Sequence, residues 1–264
     1  MPIRLFSDPA QRAEIIARFS ESDPGRGTSY ATVRDYCESL DHLPQISAVD
    51  GDLKNVQRPW AAKAILANIP PPARLLEIGG GEPAVSGLLA ELGYDVTVVD
   101  PYDGFGNGPT DYERYRQEFP HVKILREYFR PGLPPLRGQL FEAIFSISVL
   151  EHIPPEALGI CFDAIAEGLA PGGASIHCFD FILQGPGDAY DLANAQRILA
   201  QQKRITAPSP ETPFEQLLER LRSDVETFFL SAQGHHQWRG GRAYSEFPFR
   251  KVVSVQTVEF RTRD

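Results

Sequence analysis

The stretch that decides the fold is Arg74-Leu-Leu-Glu-Ile-Gly-Gly-Gly-Glu-Pro83, followed by Tyr94-Asp-Val-Thr-Val-Val-Asp100. Each stretch contains a short apolar run, as buried strands of a parallel sheet do. The residues between them, Ala84 to Leu92, favour a helix. Strand, glycine turn, helix, strand and carboxylate in this order predict half of a nucleotide-binding βαβ unit.

The residue types at the two strand ends suit an adenosine-containing cofactor. Glycines lack Cβ, so the backbone of the turn after Ile78 can approach a ligand closely. Asp100 follows the second strand, and its carboxylate can accept hydrogen bonds from two ribose hydroxyls.

Acidic residues near the turn separate two classes of cofactor. Gly79, Gly81 and Ala84 fit the G-x-G-x-x-G/A pattern of dinucleotide-binding proteins. A pyrophosphate brings negative charge to such a turn, where Glu77 and Glu82 already stand. S-adenosylmethionine (SAM) has no phosphate and carries a sulfonium and an ammonium, so these acids favour SAM.

Four segments resemble, in order, the motifs of class I SAM-dependent methyltransferases of the small-molecule type. The E-x-G-x-G arrangement from Glu77 to Gly81 is similar to motif I, with Pro83 where the family usually has its third glycine. Three more segments resemble the third strand and its turn, the fourth strand with motif IV, and the fifth strand: residues 122–129, 141–153 and 169–181. The resemblance covers roughly residues 70 to 182.

The resemblance implies an α/β fold: a Rossmann-like, doubly wound, seven-stranded sheet, mostly parallel with an antiparallel last strand. Period-2 alternation in Val225–Ser231 and Val252–Phe260 predicts that these runs form the final hairpin. We expect residues 1–69 to form an N-terminal helical cap. The SAM-binding domain then spans residues 70–264, with substrate-covering insertions at 182–222 and 232–248.

The resemblance also implies which residues contact SAM. The acid after the third strand, Glu127, matches the position that commonly meets the adenine amino group. The full set of expected cofactor-binding residues is Glu77, Gly79, Gly80, Gly81, Asp100, Pro101, Glu127, Tyr128, Ser146 and Ser148.

Three histidines are candidates for a general base, which transfer to a hydroxyl or ammonium group would need. His152 follows the fourth strand, near the expected position of the methyl group. His235 and His236 lie in the His-, Arg- and Trp-rich segment 232–248, whose composition predicts a loop that contacts ligands. His177, within an apolar strand, is interpreted as a core residue.

A metal site is not predicted. Some O-methyltransferases bind a divalent ion through a Glu-x-x-Glu-His pattern after the fourth strand. Here Ser148 replaces the first acid, which leaves Glu151 and His152, and two ligands are too few.

Bulk properties limit the partners. The chain of 264 residues has a formal net charge of −9, which argues against nucleic acid and anionic membranes as partners. Its three cysteines are too scattered for a disulfide framework. We expect a cytoplasmic protein, monomeric or homodimeric, with no membrane association.

The predicted function is methyl transfer from SAM to an oxygen or nitrogen of a small-molecule substrate. A SAM-using lyase or cyclase and a non-catalytic SAM-binding partner subunit remain alternatives. A dinucleotide-dependent oxidoreductase is disfavoured by Glu77 and by the motifs after residue 121.

Overall fold

Seven strands form one sheet in the computed structural model, which describes residues 2–6, 8–21, 26–47, 51–104, 108–208 and 213–263. The strands are β1 (Gly27–Tyr30), β2 (Arg74–Ile78), β3 (Asp95–Asp100), β4 (Lys123–Arg126), β5 (Phe141–Ile147), β6 (Leu169–Gln184) and β7 (Lys251–Phe260). Their order is β1-β7-β6-β5-β2-β3-β4, and β7 is antiparallel to both of its neighbours. The prediction of a mostly parallel sheet with an antiparallel last strand is confirmed.

Helices cover both faces of this sheet. Within the described ranges they are α1 (Pro9–Ser20), α2 (Val33–His42), α3 (Lys54–Asn68), α4 (Ala84–Glu91), α5 (Tyr112–Glu118), α6 (Pro155–Gly168), α7 (Asp188–Ile205), α8 (Phe214–Ser223) and α9 (Ala232–Arg239). Successive side chains of a strand point to opposite faces. Leu75 therefore packs into a core with α1, α3 and α4, and Leu76 into a core with α6, α7 and α8. The predicted doubly wound architecture is confirmed.

The N-terminal segment contributes to the sheet as well as helices. Residues 27–30 form edge strand β1, where only helices were expected. Helix α3 begins at Lys54, where the Asp52 carboxylate accepts a hydrogen bond from the Lys54 amide. The division of the chain into 1–69 and 70–264 stays a prediction.

The prediction of a strand at residues 225–231 is wrong. Only two isolated bridges form there, from Thr227 to Thr32 and from Phe229 to Val253. Strand β1 already occupies the edge of β7 along residues 255–258, so these residues have no long free edge to pair with. The Asp224 carboxylate also accepts a hydrogen bond from the Glu226 amide and holds a turn.

The expected loop at 232–248 begins instead with helix α9. The Ser231 hydroxyl caps its start by accepting a hydrogen bond from the Gly234 amide at 2.9 Å. Gly240, with φ of 58°, ends the helix in the left-handed conformation.

His177 lies at the centre of the sheet and is fully buried. Its Nδ1 lies 2.8 Å from the Ser146 hydroxyl on β5, and its Nε2 lies 2.8 Å from the Ser175 hydroxyl. Burial lowers the pKa of His177 to about 3, so the ring is neutral and uses one nitrogen as donor and the other as acceptor.

We expect His177→Leu to lower the free energy of unfolding by about 2–5 kcal/mol, because the Ser146 hydroxyl loses its side-chain partner and the Ser175 hydroxyl keeps only a long bond from Gln202. Replacing both serines by alanine in the same variant removes those unpaired groups and should recover part of the loss. Urea unfolding of the single and triple variants measures both effects. An equal loss in the two would assign the destabilisation to packing alone.

Candidate active site

The turn after β2 is shaped by glycines in conformations that a side chain would disturb. Gly79 and Gly81 have positive φ values of 65° and 50°. A Cβ on Gly79 would lie 2.7 Å from a methyl group of Val149, and one on Gly80 would lie 2.7 Å from a methyl group of Val98. The main chain of Gly79–Gly81 therefore has no side chains between it and the space at the carboxyl end of the sheet.

Asp100, at the end of β3, ties this turn to the next one. Its carboxylate accepts hydrogen bonds from the Gly81 amide at 3.0 Å and from the Tyr102 amide at 2.7 Å. The Tyr102 hydroxyl donates back to the Gly81 carbonyl at 2.9 Å. Burial raises the pKa of Asp100, and the two amides offset part of that rise.

Glu77 lies beneath the turn with only 3% of its surface exposed. The Ser86 hydroxyl donates to its carboxylate at 2.5 Å. Burial raises the pKa of Glu77 to about 8; the Ser86 bond and the Arg58 charge oppose the rise, and Asp100 adds to it. Glu77 is therefore a carboxyl group that holds its charge at a high free-energy cost.

A cavity of about 650 Å³ opens over the carboxyl ends of β2, β3 and β5. Its acidic lining residues are Glu77, Glu82, Asp100 and Asp103, and its basic ones are Lys54, Arg58 and Arg130. Arg58 pairs with Glu82 at 3.4 Å. Apolar side chains, among them Phe129, Ile147, Val149 and Ile153, complete the lining.

Most residues expected to bind a cofactor meet in this cavity. Those that line it are Glu77, Gly79, Gly80, Gly81, Asp100, Pro101, Tyr128 and Ser148. Two do not line it, Glu127 and Ser146. Glu127 is exposed, and its amide donates to the Asp100 carbonyl. Ser146 is fully buried, and its hydroxyl contacts His177, so it lies behind the cavity wall.

The structure brings only one of the three candidate histidine bases to the cavity. His152 is exposed and lines it, whereas His235 and His236 do not. His235 lies on α9 with 7% of its surface exposed and stacks on Phe247 at 5.4 Å between ring centroids. Burial, together with nearby positive charges, lowers its pKa. The Nδ1 of exposed His236 lies 3.1 Å from the Arg239 guanidinium.

Sequence reasoning missed a polar network beside this cavity. The Asp180 amide donates to the Glu151 carboxylate at 2.9 Å, and the Gln57 side chain donates to the Asp180 carboxylate at 2.9 Å. The available signal for Asp180 was an acid near the end of the apolar segment 169–181, where polar residues often serve a site. Glu151 was weighed only as a metal ligand. No cluster of three or more residues suited to hold a metal exists among the described residues.

One family model and two curated relatives match part of this chain. The family described as methyltransferase domain matches residues 53–180. An uncharacterized protein of Mycobacterium tuberculosis (strain H37Rv) is 34% identical over 129 residues, which cover 46% of this chain and 39% of that protein. The chain thus spans about two fifths of the length of the curated relatives it matches.

Two solved structures are similar to this chain over most of its length. The N-methyltransferase NodS from Bradyrhizobium japonicum, in complex with S-adenosylhomocysteine, is 15% identical with a TM-score of 0.50, over 96% of this chain and 100% of that one. The 1,6-didemethyltoxoflavin-N1-methyltransferase of Burkholderia thailandensis is 16% identical with a TM-score of 0.45, over 99% and 94%.

The sheet order, with its reversed last strand, defines a Rossmann-like fold that NodS shares. The match of the methyltransferase-domain family to residues 53–180 agrees with the resemblance found in the sequence motifs. Among the described residues, none of the helices has the length and apolar character needed to cross a membrane.

The raised pKa of Glu77 makes a prediction about stability. Between its ordinary pKa of 4.5 and its folded value of about 8, the folded state binds more protons than the unfolded state. Stability therefore falls as pH rises through this window. We expect Glu77→Gln to be more stable than the parent protein by about 1–4 kcal/mol at about pH 8.5, and the difference to shrink towards about pH 5.

Urea unfolding of the ligand-free protein at both pH values measures this difference. Glu156→Gln, a change of the same kind at an exposed position, is the control and should leave stability unchanged. An advantage of Glu77→Gln that did not vary with pH would contradict the assignment to charge burial.

Proposed function

We propose that this protein transfers a methyl group from SAM to an oxygen or nitrogen atom of a small-molecule acceptor. The observation that carries the proposal is the pair of buried carboxylates, Glu77 and Asp100, beside the bare backbone of Gly79–Gly81. The family match over residues 53–180 supports the reaction type.

The charge of the site supports SAM as the cofactor. Glu77 and Asp100 place two buried acidic groups where a dinucleotide would place its pyrophosphate, and a second anion there would be disfavoured. The sulfonium and ammonium of SAM bring the opposite charge to these groups, and its ribose offers the hydroxyl donors that a carboxylate accepts. Each Asp100 oxygen already accepts one amide hydrogen and has a lone pair left for a second.

The acceptor binds, in this proposal, at the part of the cavity lined by Ser148, Val149 and His152 after β5. Methyl transfer from a sulfonium is an in-line displacement, so alignment of the two reactants supplies most of the rate enhancement. The apolar residues Ile147 and Ile153 exclude water from this part, and His152 is the histidine candidate within reach of it.

We expect SAM and S-adenosylhomocysteine to bind and NAD not to bind, as measured by isothermal titration calorimetry. Gly79→Ala should weaken SAM binding about ten- to hundredfold, because a Cβ at positive φ, pressed on the stiff side chain of Val149, costs about 1–3 kcal/mol. Gly159→Ala is the matched control, since a Cβ there meets no atom within 4 Å.

Binding of NAD without binding of SAM would overturn the proposal. Equal weakening in both glycine variants would mean that the turn is not the binding site. Release of S-adenosylhomocysteine with a panel of acceptors then tests turnover; SAM binding with SAM breakdown but no methylated product would favour the lyase or cyclase alternative.

A further inference from the structure

Four polar side chains from four separate elements form one network at the carboxyl ends of β5 and β6. They are Gln57 on α3, Glu151 on the turn after β5, Asp180 on β6 and Asn194 on α7. The Gln57 amide donates to the Asp180 carboxylate, and the Asn194 amide donates to the Glu151 main-chain carbonyl at 3.1 Å. Together with the bond from the Asp180 amide to Glu151, these contacts fix the orientation of both carboxylates.

This network contains buried acceptor atoms that lack a donor. Gln57 Oε1, Glu151 Oε2 and Asn194 Oδ1 are each buried and have no hydrogen-bond partner within the described ranges of the chain. The Gln57 side chain is fully buried, and Asn194 is 3% exposed. Buried polar atoms are nearly always paired, because an unpaired one costs about 1–3 kcal/mol. Three unpaired acceptors in one network therefore require hydrogen-bond donors, which ordered water or a bound ligand can supply.

The network borders the proposed acceptor end of the cavity. Gln57 lies on α3 between Lys54 and Arg58, which both line the cavity. Glu151 lies between Val149 and His152, which line it as well. None of the four network residues is itself part of the cavity lining, and Glu151 and Asp180 are each partly exposed as whole residues.

We propose that the methyl acceptor is an amine, whose protonated nitrogen binds to Glu151 and Asp180. This inference rests on the proposed function and narrows its acceptor to nitrogen. A protonated primary amine carries three N–H donors and a positive charge, whereas a hydroxyl group has one donor and no charge. The amine therefore matches both the unpaired acceptors and the two acids.

The same carboxylates take the proton that the reaction must remove. The bound ammonium gives one proton to a carboxylate of the pair and becomes a neutral amine with a free lone pair. That lone pair forms the new nitrogen–carbon bond to the methyl group, while the carbon–sulfur bond breaks and its electron pair stays on sulfur. The products are a methylated ammonium and neutral S-adenosylhomocysteine, and the carboxyl group releases its proton to solvent.

The acidity of the pair agrees with this role. Burial raises the pKa of Glu151 and of Asp180 to about 7, and the charge of Glu151 adds to the rise at Asp180. The Asp180 amide and the Ser148 hydroxyl offset part of the rise at Glu151. Carboxyl groups with a pKa near neutrality can both receive and release a proton at neutral pH.

The test compares amines with alcohols of the same shape on the complete protein. Methylamine, n-propylamine and benzylamine, and the corresponding alcohols, are titrated into the protein saturated with S-adenosylhomocysteine, with calorimetric detection. The same compounds are then supplied with SAM, and release of S-adenosylhomocysteine is measured. We expect the amines to bind at least about tenfold more tightly than the alcohols, and only amines to be methylated.

Glu151→Gln and Asp180→Asn should each weaken amine binding about ten- to hundredfold while SAM affinity stays unchanged. The controls are Glu156→Gln and Asp163→Asn, the same exchanges at exposed positions. Gln57→Met removes one acceptor and the donor to Asp180 without a change of charge, so it should weaken amine binding less than either. Retained SAM affinity shows that each variant is folded.

Equal binding of amines and alcohols in the parent protein would overturn this inference, as would unchanged amine binding in the two carboxylate variants. Methylation of alcohols alone would do the same and leave the proposed methyltransferase function intact. Failure of the parent protein to bind SAM would instead reject the proposed function itself.

Discussion

The hydrogen bonds from two main-chain amides to the Asp100 carboxylate hold the site together. The Gly81 amide belongs to the turn after β2, and the Tyr102 amide to the turn after β3. One side chain therefore fixes the relative position of the two loops that border the cavity. Loss of the carboxylate would leave both amides unpaired in a buried region, at about 1–3 kcal/mol each. The glycine conformations, the Tyr102 contact and the cavity mouth all depend on this bridge.

The parts of the fold that follow from local sequence were predictable. The β2-turn-α4-β3 unit is contiguous in sequence, so its glycines and apolar runs are sufficient to predict it. The identity of the edge strand was not predictable, because residues 27–30 and 225–231 compete for one edge of β7. The outcome depends on contacts between distant segments. Helix α9 was missed for the same reason: its Trp238 indole donates to Asp52, far away in sequence.

In the candidate site, too, the residues of a local motif were predictable and those that depend on contacts between distant segments were not. Glu77, the three glycines and Asp100 form a local motif, and the cavity contains them all. Ser146 and Ser148 could not be told apart by spacing, since residues two apart share one face of a strand. Ser148 lies beyond the end of β5 with φ of 54°, which turns it to the cavity while Ser146 faces His177. Glu151 and Asp180 meet only because β5 and β6 pair in register, with Ile147 opposite Cys178.

Acidic residues lie at or near the carboxyl ends of four neighbouring strands, and the same electrostatic effects act on each of them. Glu77 and Asp100 lie in the last two residues of β2 and β3, Glu151 follows β5, and Asp180 lies in the carboxyl-terminal part of β6. Burial raises the pKa of each. Asp100 raises the pKa of Glu77, and Glu151 raises that of Asp180, so the acids also repel one another within two pairs. A cation bound between the acids of a pair stabilises their charged forms, because it offsets both the lost hydration and the repulsion between like charges. Burying these acids lowers the stability of the ligand-free protein, and a positively charged ligand recovers part of that free energy when it binds. The site therefore favours cationic ligands over phosphates at this edge of the sheet.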